Sequence, residues 1–226
     1  MTGMKKNDSA EIAVVLNSGG LDSVTCLAIA AREGYRIYSL SFDYGQRHRI
    51  ELECARANAD AYGAVEHCEL TLALDRIVKS ELTGTTGLKR EDQIPPTYVP
   101  SRNIIFLSVG SAWAESLGAG HLFTGVNAVD FSGYPDCRPA FISAFQEVLR
   151  TGTKSGSQGN PVHIHTPLIH LKKSEIIRLG LSLGVDYSRT STCYNPDADG
   201  TPCGICESCD LRQCGFEQAG VSDPLL

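Results

Sequence analysis

Ala13-Val14-Val15-Leu16-Asn17-Ser18-Gly19-Gly20-Leu21-Asp22-Ser23 is the stretch that decides the fold. An apolar run stops at Ser-Gly-Gly, and a helix-like run over residues 24–32 begins at once. That order reads as a buried parallel strand, a tight glycine turn and a helix N-terminus. Such a turn offers free backbone N–H groups and the positive end of the helix dipole to a phosphate. Asp22 is the awkward member. A carboxylate suits a helix N-terminus but repels a bound phosphate unless a cation lies between them. The segment therefore calls for a magnesium-nucleotide rather than a bare anion.

Working outward, apolar runs at residues 12–16, 37–42, 65–70, 121–126 and 162–166 read as strands, and residues 21–32, 49–62, 103–117, 139–149 and 172–183 as helices. Strand and helix alternate, which predicts an α/β, Rossmann-like parallel sheet of five strands with helices on both faces. Gly34, Gly63, Gly118 and Gly184 each follow a helix, as C-terminal caps do. In such sheets a ligand sits beyond the C-terminal strand ends, where strand order reverses. Residues 17–20, 43–48 and 125–133 are then expected to face the site. Two polar stretches break the rhythm. Residues 151–161 read as a surface loop, and residues 80–97 as either a surface loop or a lid over the nucleotide.

The chain has 226 residues, 42% of them hydrophobic, which suffices for one substantial core or one domain with an appendage. Its formal net charge of −6 gives no support for a nucleic-acid surface. No apolar run reaches the roughly 18 residues of a membrane span, and residues 1–11 lack the apolar core of a signal peptide. Nine cysteines, an odd number with a cluster near the C-terminus, suit a reduced cytoplasmic protein with a metal site better than a disulfide framework.

That cluster, Cys193-x9-Cys203-x2-Cys206-x2-Cys209, contains two overlapping CxxC units. A short helix from Cys206 through Arg212 would put Cys206 and Cys209 on one face. Four soft thiolates predict zinc, with an iron–sulfur cluster as the lesser alternative, and a full shell of sulfurs predicts a structural ion. Cys214 is a poorer fifth candidate. The division expected is a nucleotide-binding domain at residues 1–190 and a small metal module at 191–226.

The opening segment lacks both GxxxxGK[ST] and GxGxxG. Ser-Gly-Gly-x-Asp-Ser instead resembles the pyrophosphate loop of the PP-loop ATPases, which cleave ATP between its α and β phosphates and adenylate a substrate oxygen. Further segments narrow the resemblance: residues 41–48 (SFDYGQRH), 99–103 (VPSRN), 125–138 (GVNAVDFSGYPDCR) and 166–169 with Lys173-x-Glu175-Ile176, then the cysteine cluster flanked by Thr192 and Tyr194. Together they resemble the 7-cyano-7-deazaguanine synthase family of queuosine biosynthesis, in order from residue 12 to about 215. Ser101 departs from that family, which more often has glycine there. The resemblance implies an ATP- and magnesium-dependent carbon–nitrogen ligase, a homodimer, that takes 7-carboxy-7-deazaguanine and ammonia to the nitrile.

Within it, Asn17, Ser18, Gly19, Gly20, Leu21 and Ser23 are expected to hold phosphate, and Asp22 magnesium. Lys173, at the start of a helix where it opposes the dipole, is expected on a phosphate, with Lys172 as the solvated neighbour. Arg102 either pins the substrate carboxylate or pyrophosphate, or makes a surface salt bridge. Asp43, Tyr44, Gln46 and His48 should border the nucleotide or the base. His48 either receives a proton from ammonium or is a hydrogen-bonded structural residue. Asn127, Asp130, Ser132, Tyr134, Asp136 and Arg138 are expected to form the base pocket, with Asp130 or Asp136 reading a guanine-like edge. Cys137 reads as a buried thiol, and His163 and His165 receive no role. Three other readings compete. A tRNA-modifying PP-loop enzyme is disfavoured by the acidic charge and by Cys26 lying inside a helix. A ligase that hands the activated base to another amine is poorly separated by sequence. A zinc-ribbon binding module leaves the ATP loop unexplained.

Overall fold

The computed structural model describes residues 10–89, 94–130 and 133–225. Five strands, β1 (Ile12–Leu16), β2 (Arg36–Asp43), β3 (Glu66–Thr71), β4 (His121–Phe123) and β5 (His163–His165), form one sheet in the order β3-β2-β1-β4-β5. All neighbours pair in parallel. The first three strands step one way from β1 and the last two step the other, so the strand order reverses between β1 and β4. That is where a parallel sheet opens a crevice for ligand. The central strand IAVVL is buried along its middle, as a strand covered on both faces must be.

The helices are α1 (Leu21–Arg32), α2 (Ile50–Ala61), α3 (Arg102–Leu117), α4 (Pro139–Gly152), α5 (Lys154–Ser157), α6 (Lys173–Ser182) and α7 (Glu207–Ala219). On one face of the sheet, Val14, Leu40, Phe42 and Leu122 pack with Leu107 and Ala114 of α3 and Phe145 and Leu149 of α4. On the other, Ala13, Val15 and Phe123 meet Leu27 of α1, and behind them Val24, Ile176, Ile177 and Phe216 close a second layer. Each fully buried side chain of this size contributes about 1.5–3 kcal/mol, which makes these two layers the main source of stability. The glycines expected to end helices, Gly34, Gly63, Gly118 and Gly184, all have positive φ.

Residues 151–161 differ from the expected loop. Here α4 runs on to Gly152 and α5 follows it. Thr153 Oγ1 accepts from Gly156 N at 3.0 Å, and Glu115 of α3 accepts from Ser155 N at 2.6 Å. A side-chain cap and a distant carboxylate hold a turn of helix that polar, glycine-rich composition does not announce. β4 also stops at Phe123, short of the expected residue 126, which frees residues 124–127 to line the crevice.

Candidate active site

A cleft of about 240 Å³ opens at the β1–β4 switch point. Its floor is the turn between β1 and α1. Gly20 is the N-cap of α1, and no side chain caps that helix; its first intrahelical bond is Val24 N to Gly20 O. Ser18 and Ser23 are turned instead toward each other and the loop: Ser18 N donates to Ser23 Oγ at 3.1 Å, and Ser23 Oγ donates to Gly20 O at 3.0 Å. The first N–H groups of α1 therefore remain available to an anion, rather than being consumed by a serine cap. Asn17 is buried and braces the turn, donating to Ala55 O at 2.9 Å and accepting from Gly19 N at 3.0 Å. Gly19, at φ 79°, turns toward α2, where a Cβ would lie 2.0 Å from Glu51 O. Ser18, Gly20, Leu21, Asp22 and Ser23 line the cleft.

Lys173 opens α6, reaches the same floor and is held between two carboxylates. Its Nζ lies 2.7 and 2.8 Å from the Asp22 oxygens and 3.2 Å from Asp130 Oδ2. Lys172, by contrast, is exposed at the N-cap. Asp130 is placed by Asn127, whose Oδ1 accepts from Val129 N and Asp130 N, while its Nδ2 donates to Leu168 O and Leu171 O. Burial raises the Asp130 pKa, and Lys173 opposes that rise. The pair of carboxylates and the lysine form a charge cluster beside the phosphate turn, the setting in which a divalent cation and a triphosphate are both accommodated. Asp22 and Asp130 are the residues that fit such an ion.

Arg102, the first residue of α3, lies on another wall. The residue as a whole is partly exposed, but its guanidinium is desolvated. Desolvation opposes the charge, yet Tyr44, Cys137 and Tyr134 together hold its pKa above the ordinary value. Among the described residues no carboxylate forms a salt bridge with it. Its ring neighbour is Tyr44, with Cζ 5.9 Å from the ring centroid, and burial pushes that phenol up to about 12. Tyr134 is buried and shares a hydrogen bond with Thr97 at 2.7 Å. Cys137 is also buried; Asn103 Nδ2 approaches its sulfur at 3.4 Å, and burial pushes the thiol up to about 12, so it stays protonated. Asp136 accepts from Asn103 N at 3.1 Å and so caps α3 from across the chain.

The segment after β2 forms a third wall. Asp43 accepts from Gly45 N at 3.2 Å and pairs with Arg49 at 3.2 Å. Gln46 is a brace: its Oε1 accepts from Tyr44 N at 2.7 Å, and its Nε2 donates to Phe42 O and to Glu51 Oε1. His48 is buried and lines the cleft, as does Glu51.

Of the residues singled out in the sequence, Asn17, Ser18, Gly20, Leu21, Asp22, Ser23, Tyr44, His48, Arg102, Asn127, Tyr134 and Lys173 line this one cleft. Gly19, Asp43, Gln46, Asp130 and Asp136 stand behind it, and Arg138 is exposed at the start of α4. Ser132 lies outside the described residues. Glu51, Thr124 and Tyr194 line the cleft without having been expected there, although Glu51 follows His48 at i+3 on a helix start, a spacing that brings side chains together. Leu82, from the stretch read as loop or lid, also touches the cleft and is tied down by Arg47 N donating to its carbonyl at 3.1 Å.

The four cysteines form a compact group whose sulfurs lie within 4.8 Å of one another. A tetrahedral ion with bonds of about 2.3 Å needs sulfurs about 3.8 Å apart, so the cluster can hold one. Cys206 is the N-cap of α7 and Cys209 lies in its first turn. Asn195 N and Cys203 N both donate to Cys193 Sγ, at 3.3 and 3.2 Å. Backbone hydrogen bonding, chiefly from Ile205, lowers Cys203 to about 7, which favours the thiolate that a metal binds. Cys214 is exposed on α7 and outside the group.

Comparison with known proteins places the chain in a family. The chain is 55% identical over 217 residues to the 7-cyano-7-deazaguanine synthase of Geobacter metallireducens, covering 94% of this chain and 92% of that one. It is equally 55% identical over 215 residues to the synthase of Methylococcus capsulatus, covering 94% and 96%. Among solved structures, a 4-thiouridine synthetase in complex with RNA and bound ATP superposes with a TM-score of 0.52 at 20% identity, over 93% of this chain and 53% of that one, which speaks for the fold. The family model described as queuosine biosynthesis protein QueC matches residues 12–220, and the chain belongs to that family.

Proposed function

We propose that this protein is an ATP-dependent carbon–nitrogen ligase that converts 7-carboxy-7-deazaguanine and ammonia to 7-cyano-7-deazaguanine. The observation that carries the reading is Arg102: a desolvated guanidinium, in the same cleft as an uncapped helix N-terminus, with no salt bridge to a carboxylate among the described residues and Asp136 acting on it only as a weaker neighbouring charge. A guanidinium kept charged on the cleft wall offers a fork of N–H donors to an anionic ligand. A triphosphate serves the helix terminus and Lys173, which leaves Arg102 for the carboxylate of the base.

The chemistry requires both. A carboxylate repels nucleophiles, and oxide cannot leave. Attack of the carboxylate oxygen on the α phosphate breaks the bond to pyrophosphate and makes an acyl adenylate, in which AMP is a good leaving group. Ammonia then gives the amide, and a second activation with loss of water gives the nitrile. The α1 N–H groups and Lys173 steady the charge that develops on pyrophosphate. Asp22 and Asp130 would hold a magnesium ion, which would supply the positive charge that lets a carboxylate stand next to the triphosphate. Tyr44 and Tyr134 offer faces and phenols to the heterocycle. Zinc at the four cysteines is a structural clip in residues 191–226, residues 1–190 supply the phosphate turn and most of the cleft while Tyr194 and α7 complete its wall, and the enzyme works as a cytoplasmic homodimer on small molecules alone.

Incubation with the carboxylate, ATP, magnesium and ammonium, followed by mass spectrometry, is expected to show the amide and then the nitrile. Consumption of ATP with an unaltered base would overturn the reading in favour of another acceptor or substrate. The Arg102→Met variant is expected to raise KM for the carboxylate by about 10–100-fold, the worth of one charge-assisted hydrogen-bonded contact, with KM for ATP little changed.

A further inference from the structure

Nothing in the handling of ATP or of the carboxylate uses His48, yet its surroundings are unusually well specified. Glu51 Oε2 lies 3.3 Å from His48 Nε2, and the two side chains are 5% and 13% exposed. Glu51 Oε1 is in turn fixed by Gln46 Nε2 at 3.0 Å, and Gln46 is anchored to the backbone at Tyr44 and Phe42. A carboxylate beside Nε2 favours the tautomer with its proton there, which leaves the lone pair at Nδ1. His48 Nδ1 is buried and has no hydrogen-bond partner among the described residues. A small N–H donor brought to that nitrogen, in a residue that lines the cleft, satisfies it. The Glu51 carboxylate makes that donor a cation. From the remaining side Tyr194 faces the ring, with centroids 6.4 Å apart.

Resting on the ligase reading, we propose that His48 is the catalytic residue that binds ammonium through Nδ1 and accepts its proton, with Glu51 and Gln46 as positioning residues. One ammonium proton passes to Nδ1. The nitrogen lone pair so released forms the C–N bond at the acyl carbon of the adenylate. The C–O bond to AMP then breaks, and AMP leaves with that electron pair. The nitrogen sheds a second proton to water, the imidazolium returns its proton to water, and the products are the amide, AMP and two protons.

Two partial reactions separate this role from a structural one. Carboxylate-dependent exchange of labelled pyrophosphate into ATP reads adenylation alone. Hydroxylamine is a nucleophile already unprotonated at neutral pH and so needs no base to release its lone pair. The His48→Gln variant is expected to keep the exchange and hydroxylamine use, while ammonium-dependent amide formation falls by about 100-fold or more. Glu51→Gln retains a side chain that reaches His48 and is expected to show a smaller loss confined to ammonium. Undiminished ammonium use with intact exchange would overturn this proposal alone, as would equal losses with ammonium and hydroxylamine. Absence of exchange in the wild type would overturn the ligase reading and this proposal with it.

Discussion

Ser101 and Arg102 show how much one residue's backbone sets up for the next. Ser101 has φ 59°, the only positive value among the described non-glycine residues, and its side chain makes no cap to α3. The left-handed turn is what swings Arg102 to the start of α3, where it joins the cleft. A serine held there carries strain that glycine does not. Ser101→Gly is therefore expected to raise the unfolding free energy by about 0.5–1 kcal/mol in urea titration, without loss of turnover. That serine stands out in the sequence as a departure from the family pattern. Its backbone cost does not, because φ at this point is fixed by the chain on either side. Glu51 was hidden for a similar reason. An acidic residue in a helix's first turn is ordinary, and only the fold of the segment after β2 brings it against His48.

At the scale of elements, the β1–α1 turn was legible because strand, glycines and helix signal follow one another without a break. Residues 151–161 were not, since α5 is held by Glu115 from α3 rather than by its own composition. The start of β4 and the end of β5 hold a feature with a measurable pH dependence. His121 Nδ1 and His165 Nε2 are 2.9 Å apart, and His165 stacks on Phe123 with ring centroids 4.3 Å apart. Burial, then the neighbouring His163 and His121, lower His165 from 6.5 to about 4. The unfolded chain therefore binds a proton that the folded one refuses between those values. Stability from this group is complete above pH 6.5 and is lost as pH falls toward 4. Thermal melts across that range are expected to fall less steeply for His165→Asn than for the wild type; parallel curves would contradict the assignment.

For the whole molecule, the four cysteines were legible from spacing alone, whereas the docking of the helix they begin was not. α7 packs along α6 so closely that a Cβ at Gly215 would sit 2.4 Å from Lys173 Cγ. Arg212 ties α7 to the rest: it donates to Tyr187 O at 3.0 Å and to Thr190 Oγ1 at 2.8 Å, and it pairs with Asp223 at 2.6 Å. No periodicity in the sequence reports a contact between segments so far apart in the chain. Cys206→Ser is expected to lower bound metal, read by mass spectrometry of the metal content, and to lower Tm together by roughly 5–10 °C. Equal metal in variant and wild type would refute the cluster as its site. Ser208, Leu211 and Arg212 of α7 also line the cleft. α7, which follows all the other elements along the chain, thus supplies part of the wall around the cleft. Until α7 docks, the phosphate turn lacks that wall, so loosening the cysteine cluster at the start of α7 reaches the nucleotide cleft as well as the metal site.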